Sequence, residues 1–352
     1  MSTRPMMPAP ELDRENMLGF IHALPDQLET AWALGLSLPL PVTGKIERIV
    51  IAGMGGSAIG GDLLASYCRD RCQIPIVTHR DYELPAWATG PETLVICSSH
   101  SGNTEETLSA FQAAKAGGCS LLTLSTGGKL VDAAGKTGVA NWLFKHNGQP
   151  RTAVAFSFGM LLALVERLGL VSGSEKEIRS AISAMHMQRQ TLGRDVDMHH
   201  NPAKRLAGQL TGKYISIFAA GSMEVVARRW KTQFNELAKA WAQFEGLPEA
   251  DHNTLVATIN PEELVTKVAA IFLRSEMDHP RNQLRLVATR EAFMLDGLTA
   301  DEVWAKGDTR LAQMWTLLQM GDYVAYYLAL MYGIDPTPVE ALARLKEKLS
   351  SL

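Results

Sequence analysis

Residues 93–118 read TLVICSSHSGNTEETLSAFQAAKAGG. The opening TLVICS is a short apolar run of the kind buried in a parallel sheet. The closing LSAFQAAKAGG is a helix stopped by glycine. Between them stand Ser99, Ser101, Thr104 and Thr107, the carboxylates Glu105 and Glu106, and Gly102, with no bulky apolar anchor. A helix N-terminus presents free backbone N–H groups and about half a positive charge, which makes it a ready site for an anion. Ser99, Ser101 and Thr104 add side-chain donors, and Gly102 lets the backbone come close to a ligand. Helix capping accounts for one of these hydroxyls, not for three beside a glycine. The loop lacks the Gly-Lys-Ser/Thr of a P-loop, so it reads as a phosphate cradle of another type.

Working outward, RIVIAGMGGSAIGGDLLASY is strand, glycine turn and helix, IPIVTHR a second strand, SLLTLSTGG a fourth and ANWLFKH a fifth. This alternation predicts an α/β fold with a doubly wound parallel sheet. Gly53-x-Gly55-x-x-Ala58 fits the loose dinucleotide fingerprint, but His79 and Arg80 precede Asp81 where the acidic residue for the ribose is wanted. Gly55, Gly56 and Ser57 read better as lining the same phosphate pocket from the neighbouring strand end.

A helical stretch from Ser157 to Leu192 follows. Then YISIFAAGSMEVVARRWKTQF repeats the strand–glycine–helix theme, TLVATINPEE repeats the opening of TLVICSSHSGNTEE, and QLRLVAT reads as another strand. This suggests a duplicated α/β domain, in which Asn260-Pro261-Glu262-Glu263 replaces the hydroxyl loop. The expected division is 1–195 with leading helices and 196–352 with closing helices. A chain of 352 residues suits two such domains.

Net charge near −3 leaves no basic footprint for nucleic acid. No apolar run reaches membrane-spanning length, since GMLLALVERLGLV is broken by Glu166 and Arg167. The N-terminus lacks the apolar core of a signal peptide. Cys68, Cys72, Cys97 and Cys119 form no metal or disulfide framework, and Cys97 and Cys119 read as buried thiols. A reducing cytoplasm is the expected compartment.

With GMGGSAIGG and SSHSGNTEET in place, the blocks QPRTA, FNELAKA…PEADHN and GDYVAYYLALMYGIDPTPVEALARLK complete a pattern. The chain resembles the bifunctional phosphoglucose/phosphomannose isomerases, proteins with two sugar-isomerase (SIS) domains of flavodoxin-like fold. The resemblance runs from ENMLGFIHALPDQL to LARLKEKL. It implies interconversion of glucose 6-phosphate and mannose 6-phosphate with fructose 6-phosphate through an enediol, as in glycolysis and gluconeogenesis, without metal or organic cofactor. It also implies a homodimer.

The pattern of residues alone makes Glu236 a surface glutamate beside the apolar stripe Val226, Trp230, Phe234, Leu237, Trp241 and Phe244 of one helix. By resemblance Glu236 matches the general base. His252 matches the histidine of ring opening, supplied across the dimer interface. Arg151 stands at a helix start, where a cation opposes the macrodipole, and matches the arginine that stabilises the enediolate. Lys346 follows a Thr337–Glu340 capping box. It falls roughly 55° from the centre of the face formed by Val339, Leu342, Leu345 and Leu349, which predicts a side chain aimed near the interior; by resemblance it assists at the ring oxygen. Leu237, Gln243-Phe244-Glu245 and Thr254 depart from the family pattern and put substrate breadth in doubt. Two other readings stay open: a non-catalytic phosphosugar-binding regulator, and an isomerase of another phosphosugar such as an amino sugar or a pentose.

Overall fold

The computed structural model of the protein describes residues 10–41 and 44–350; the expectation about a signal peptide falls largely on residues 1–9, outside them. The chain divides into two compact units. One holds residues 23–186 and 307–313, the other residues 1–22, 187–306 and 314–352.

After α1 (Met17–His22) and α2 (Leu24–Ser37), the chain alternates regularly. The elements are β1 (Arg48–Ala52), α3 (Gly55–Cys68), β2 (Ile76–His79), β3 (Thr93–Ser99), α4 (Glu105–Ala116), β4 (Ser120–Ser125), α5 (Lys129–Thr137) and β5 (Ala140–Leu143). The five strands are parallel, in the order β2-β1-β3-β4-β5. All seven residues of β3 are buried, as its unbroken apolar run requires for a strand covered on both faces. The expected helical stretch is two helices, α6 (Val154–Arg167) and α7 (Ser174–Leu192), separated by a turn with Gly169 and Gly173 at positive φ. Cys97 is fully buried, but Cys119 is only half-buried, its Sγ donating to the Ala88 carbonyl at 3.3 Å.

The second unit contains α8 (Pro202–Leu210), β6 (Tyr214–Ala220), α9 (Glu224–Glu236), β7 (Ala242–Leu247), α10 (Glu262–Val265), β8 (Val268–Arg274), α11 (Pro280–Leu295) and β9 (Thr299–Trp304), with α12 (Arg310–Met331, from Met314 on) and α13 (Glu340–Ser350) closing the chain. Its parallel sheet has the order β7-β6-β8-β9, the order of the first four strands of the other sheet. The duplicated layout is therefore visible in the topology, although two of the expected strands lie elsewhere.

QLRLVAT is not a strand: it lies in α11, where Leu286, Thr289 and Phe293 are buried at helical spacing. Its Leu-Arg-Leu alternation imitates a strand, but Pro280 at the first turn and the His279 ring accepting from the Arg281 N–H start a helix. TLVATI is not the counterpart of β3 either. Residues 254–256 form a short 3₁₀ turn, and Val256 and Ile259 are 74% and 71% exposed. The counterpart is β8, VAAIFLR, buried from Ala269 to Arg274.

The expected helix through Phe244 stops at Glu236. Val226, Trp230, Phe234 and Leu237 are buried as the stripe demands, but Trp241 is 77% exposed and Phe244 belongs to β7. The cause is local. Lys239 adopts positive φ, and its ammonium donates to the carbonyls of Glu236 and Leu237, which satisfies the end of the helix.

Candidate active site

In the first unit the C-terminal ends of β1 and β3 flank the point where strand order reverses, the usual ligand crevice of such a sheet. The two turns are laced together there. The His100 N–H donates to Ser57 Oγ at 3.1 Å, and Ser99 Oγ meets Thr104 Oγ1 at 2.9 Å while accepting from the Gly102 N–H at 3.1 Å. Ser101 Oγ accepts from the Asn103 N–H at 3.2 Å and is itself exposed. Helix α4 begins immediately afterwards, and its N-cap Thr104 makes no side-chain cap bond. The hydroxyls thus serve the loop rather than the helix, and the capping explanation fails for Thr104.

Close approach explains the glycines. Gly102 has φ +66°, and a Cβ there would run into the Gly127 carbonyl oxygen. A Cβ on Gly56 would stand 2.5 Å from the Pro150 carbonyl oxygen and 3.1 Å from the Arg151 nitrogen. The absence of a side chain at Gly56 lets the Arg151 segment close on the first turn of α3. Arg151 lies in a 3₁₀ turn, Pro150–Thr152, just ahead of α6, and is buried. The structure therefore brings Gly55, Gly56, Ser57, Ser99, Ser101, Thr104 and Arg151 to one end of one sheet.

Sequence reasoning passed over three features nearby. Gly127 and Gly128, after β4, press against Gly102 and Ser101, and Asn103 Oδ1 accepts from the Lys129 N–H at 3.0 Å. The glycine pair in STGG was the available signal. His100 and His146 form the third feature: Nε2 of one and Nδ1 of the other are 3.0 Å apart. Burial first, and then the charge of His146, depresses the pKa of His100 to about 4; burial also lowers that of His146. Their partnership joins residues 46 apart, which no local pattern reveals.

In the second unit Glu236 is the last residue of α9 and is half-buried. Lys239, which closes that helix, also donates to the carbonyls of Asp335 at 3.1 Å and Pro336 at 3.3 Å. The end of α9 is thus tied to the segment leading into α13. That helix begins at Glu340, and Lys346 on it is exposed, with Leu342, Leu345 and Leu349 about half exposed. The expectation of an inward-aimed Lys346 is corrected for the single chain: the apolar face of α13 has little covering it. His252 ends a 3₁₀ turn, Glu249–His252, and is exposed. Its neighbour Asp251 is anchored to α11 by Arg285 at 2.8 Å and Thr289 at 2.7 Å.

The second sheet has its own crevice. Continuing the β6–β8 register pairs Ala220 with Arg274, as Ala52 pairs with Cys97 in the first sheet. Counting on from these strand ends sets Asp278 at the position of Ser101. Asp278 is only 6% exposed, its Oδ2 has no hydrogen-bond partner, and burial raises its pKa to about 7. An acidic side chain here replaces a hydroxyl, and its ionised form would repel a phosphate, so this copy of the loop suits phosphate less well.

A protein from Caldicellulosiruptor bescii named bifunctional phosphoglucose/phosphomannose isomerase is 38% identical over 340 residues, 96% of this chain and 99% of its own. The chain belongs to that family. An Aquifex aeolicus relative of the same name is 32% identical over 86% of this chain and 90% of its own. The family model of the bacterial phospho-glucose isomerase C-terminal SIS domain matches residues 199–349. Among solved structures, a hypothetical protein from Thermus thermophilus superposes with a TM-score of 0.73 over 96% of this chain and 90% of its own. At 16% identity this likeness speaks for the fold alone.

Proposed function

We propose that the protein interconverts glucose 6-phosphate and mannose 6-phosphate with fructose 6-phosphate. The observation that carries this reading is family membership along nearly the whole chain, joined to a hydroxyl and glycine cradle at the switch point of the first sheet. Glucose and mannose 6-phosphates differ only at C2 and give one enediol when that carbon loses its proton, so a single base serves both.

In this reading Ser57, Ser99, Ser101 and Thr104 hold the phosphate, with Gly55 and Gly56 leaving room for it. Phosphate binding fixes the sugar so that proton transfer becomes an oriented event. His252 of a second copy and Lys346 open the ring. Glu236 takes the C2 proton and returns it to C1 as general base and acid, and Arg151 stabilises the negative enediolate. The reaction needs no metal or organic cofactor. The exposed Val256 and Ile259 on the segment after His252 support a homodimer, as does the half-exposed apolar face of α13. We place the domain boundary near residue 195, because β1–β5 precede it and β6–β9 follow it. A soluble metabolic enzyme of the cytoplasm, working in glycolysis and gluconeogenesis, fits this activity.

The test is an assay of phosphosugars, the 6-phosphates of glucose, mannose and glucosamine and a pentose 5-phosphate among them, with EDTA present. Isomerisation of glucose and mannose 6-phosphates is expected. Binding without turnover would point to a phosphosugar-sensing protein instead, and turnover of the amino sugar or pentose alone to a different isomerase.

A further inference from the structure

Arg151 stands in a single 3₁₀ turn, and the segment leading into it has little regular structure to hold it. Between the end of β5 at Leu143 and the 3₁₀ turn at Pro150 the chain forms neither helix nor strand. Something must fix Arg151 against the phosphate loop, because an enediolate-stabilising cation works only from a set position. Gly56 permits the close approach but does not lock it.

His100 and His146 span this gap. His100 sits between Ser99 and Ser101, and its backbone is tied on both sides. Its N–H donates to Ser57 Oγ at 3.1 Å, and its carbonyl accepts from the N–H and Oγ1 of Thr126 at 3.0 and 2.7 Å. The imidazole is therefore presented by a rigid loop. It meets the His146 ring nearly at right angles, Nε2 to Nδ1 at 3.0 Å. The other nitrogen of His146 faces Thr152 Oγ1 at 3.4 Å, and that hydroxyl donates to the Gln149 carbonyl at 2.8 Å. Gln149 and Thr152 bracket Arg151. Phe144 and Phe156, stacked 5.0 Å apart, meet the edges of the two histidine rings. Two imidazoles in such surroundings are kept largely neutral by burial, and a neutral pair shares one proton in a directional bond. Packing alone would be served by apolar rings.

We propose that the His100–His146 hydrogen bond is a strut that positions Arg151 over the phosphate loop, so that both histidines are positioning residues for the isomerisation. The inference rests on Arg151 as the enediolate-stabilising group. The bond is made by the two rings and not by the phosphate-binding hydroxyls themselves, so its loss acts on turnover more than on substrate capture.

The test compares His146→Phe, which keeps a ring but loses the bond, with His146→Asn, which keeps an amide able to accept or donate. Both are measured with glucose 6-phosphate, alone and combined with Arg151→Gln. His146→Phe is expected to lower kcat by about tenfold or more, as misplacement of a catalytic group commonly does, with KM nearly unchanged. His146→Asn should recover most of the loss. In the Arg151→Gln background His146→Phe should cost little more, since both changes remove one function. His100→Phe, which leaves the backbone bonds of the loop available, should repeat the effect should His146→Phe fold poorly. Parent-like kcat in a folded His146→Phe or His100→Phe protein overturns the strut, and so does a loss that multiplies fully with Arg151→Gln. Parent-like turnover by Arg151→Gln itself would instead remove the role assigned to Arg151.

Discussion

Arg229 on α9 and Asp322 on α12 form a two-point ion pair, Nε to Oδ1 at 3.1 Å and Nη2 to Oδ2 at 2.8 Å, with only 1% and 2% of each residue exposed. Beside it the Trp230 indole donates to the Leu317 carbonyl at 2.8 Å. These bonds set the rotation of α9 on α12, and with it the direction in which the helix ends at Glu236. Such a pair is weak evidence for net stability but costly to break from one side. Asp322→Ala should lower stability by about 3–5 kcal/mol, because it strands a buried guanidinium. Converting both partners to apolar residues, Arg229→Met with Asp322→Leu, should recover most of that in urea unfolding. Equal losses in the single and double variants would contradict this account.

Glu236→Gln should abolish proton transfer without disturbing the phosphate loop. The amide keeps the size of the carboxylate and removes its basic lone pair. General-base catalysis is worth about 10²–10⁴-fold, so kcat should fall by at least the lower figure, and deuterium at C2 of glucose 6-phosphate should cease to exchange with solvent. Binding of a 6-phosphosugar inhibitor should persist. Parent-like exchange in the variant would move the base to another residue.

Ser101→Ala and Thr104→Ala should each raise KM for glucose 6-phosphate while leaving the fold intact. In the proposed reading each removes one charge-assisted bond to phosphate, worth roughly 1.5–3 kcal/mol. Thr104→Ala also loses the contact with Ser99 Oγ, so its effect should be the larger of the two. The comparison needs only steady-state kinetics and a thermal melt; unchanged KM in both variants would remove phosphate from this loop.

Gly102→Ala probes the same loop through its backbone. Gly102 has φ +66°, and the added methyl would collide with the Gly127 carbonyl oxygen, a backbone atom that cannot swing aside. The loop must shift, so KM should rise further than in Ser101→Ala, and the melting temperature should drop by several degrees, in line with about 1–3 kcal/mol of strain. A variant that melts and binds like the parent would mean that the glycine is not required here.

Asp278 makes stability depend on pH. Its carboxyl titrates near 7 in the folded chain against an ordinary value of 3.8, chiefly through burial. The folded form thus holds the proton more tightly than the unfolded form. The contribution is fully present below about pH 4 and is lost as pH rises through 7. Asp278→Asn should melt higher than the parent at pH 8, by no more than about 4 kcal/mol in stability, and the gap should close as pH falls towards 4. A gap of constant size across this range would show that the carboxyl titrates normally.

Much of the first unit was legible in the sequence, because its signals are local. A buried parallel strand must be apolar throughout, a helix start must leave N–H groups free, and a tight turn must carry glycine; TLVICS, SSHSGNT and GMGGS satisfy these conditions within a few residues of chain. The second unit was harder. Leu284, Leu286 and Thr289 fit a strand or a helix equally well over so short a window, and burial of Leu286, Thr289 and Phe293 on one face settles the matter for α11. The end of α9 was hidden for a similar reason. The stripe continues in sequence through Trp241 and Phe244, and only Lys239, reaching the carbonyls of Glu236, Leu237, Asp335 and Pro336, stops the helix where it does.

By itself, then, the sequence determined the alternation of strands and helices in the first unit, the hydroxyl loop and its glycines, since each depends on neighbours in the chain. The tertiary structure decided which residues meet across long separations: Gly56 with Arg151, His100 with His146, and Arg229 with Asp322. Those partnerships are set by the register of parallel strands and the packing of helices upon them. Register and packing are properties of the whole sheet, which no window of residues contains.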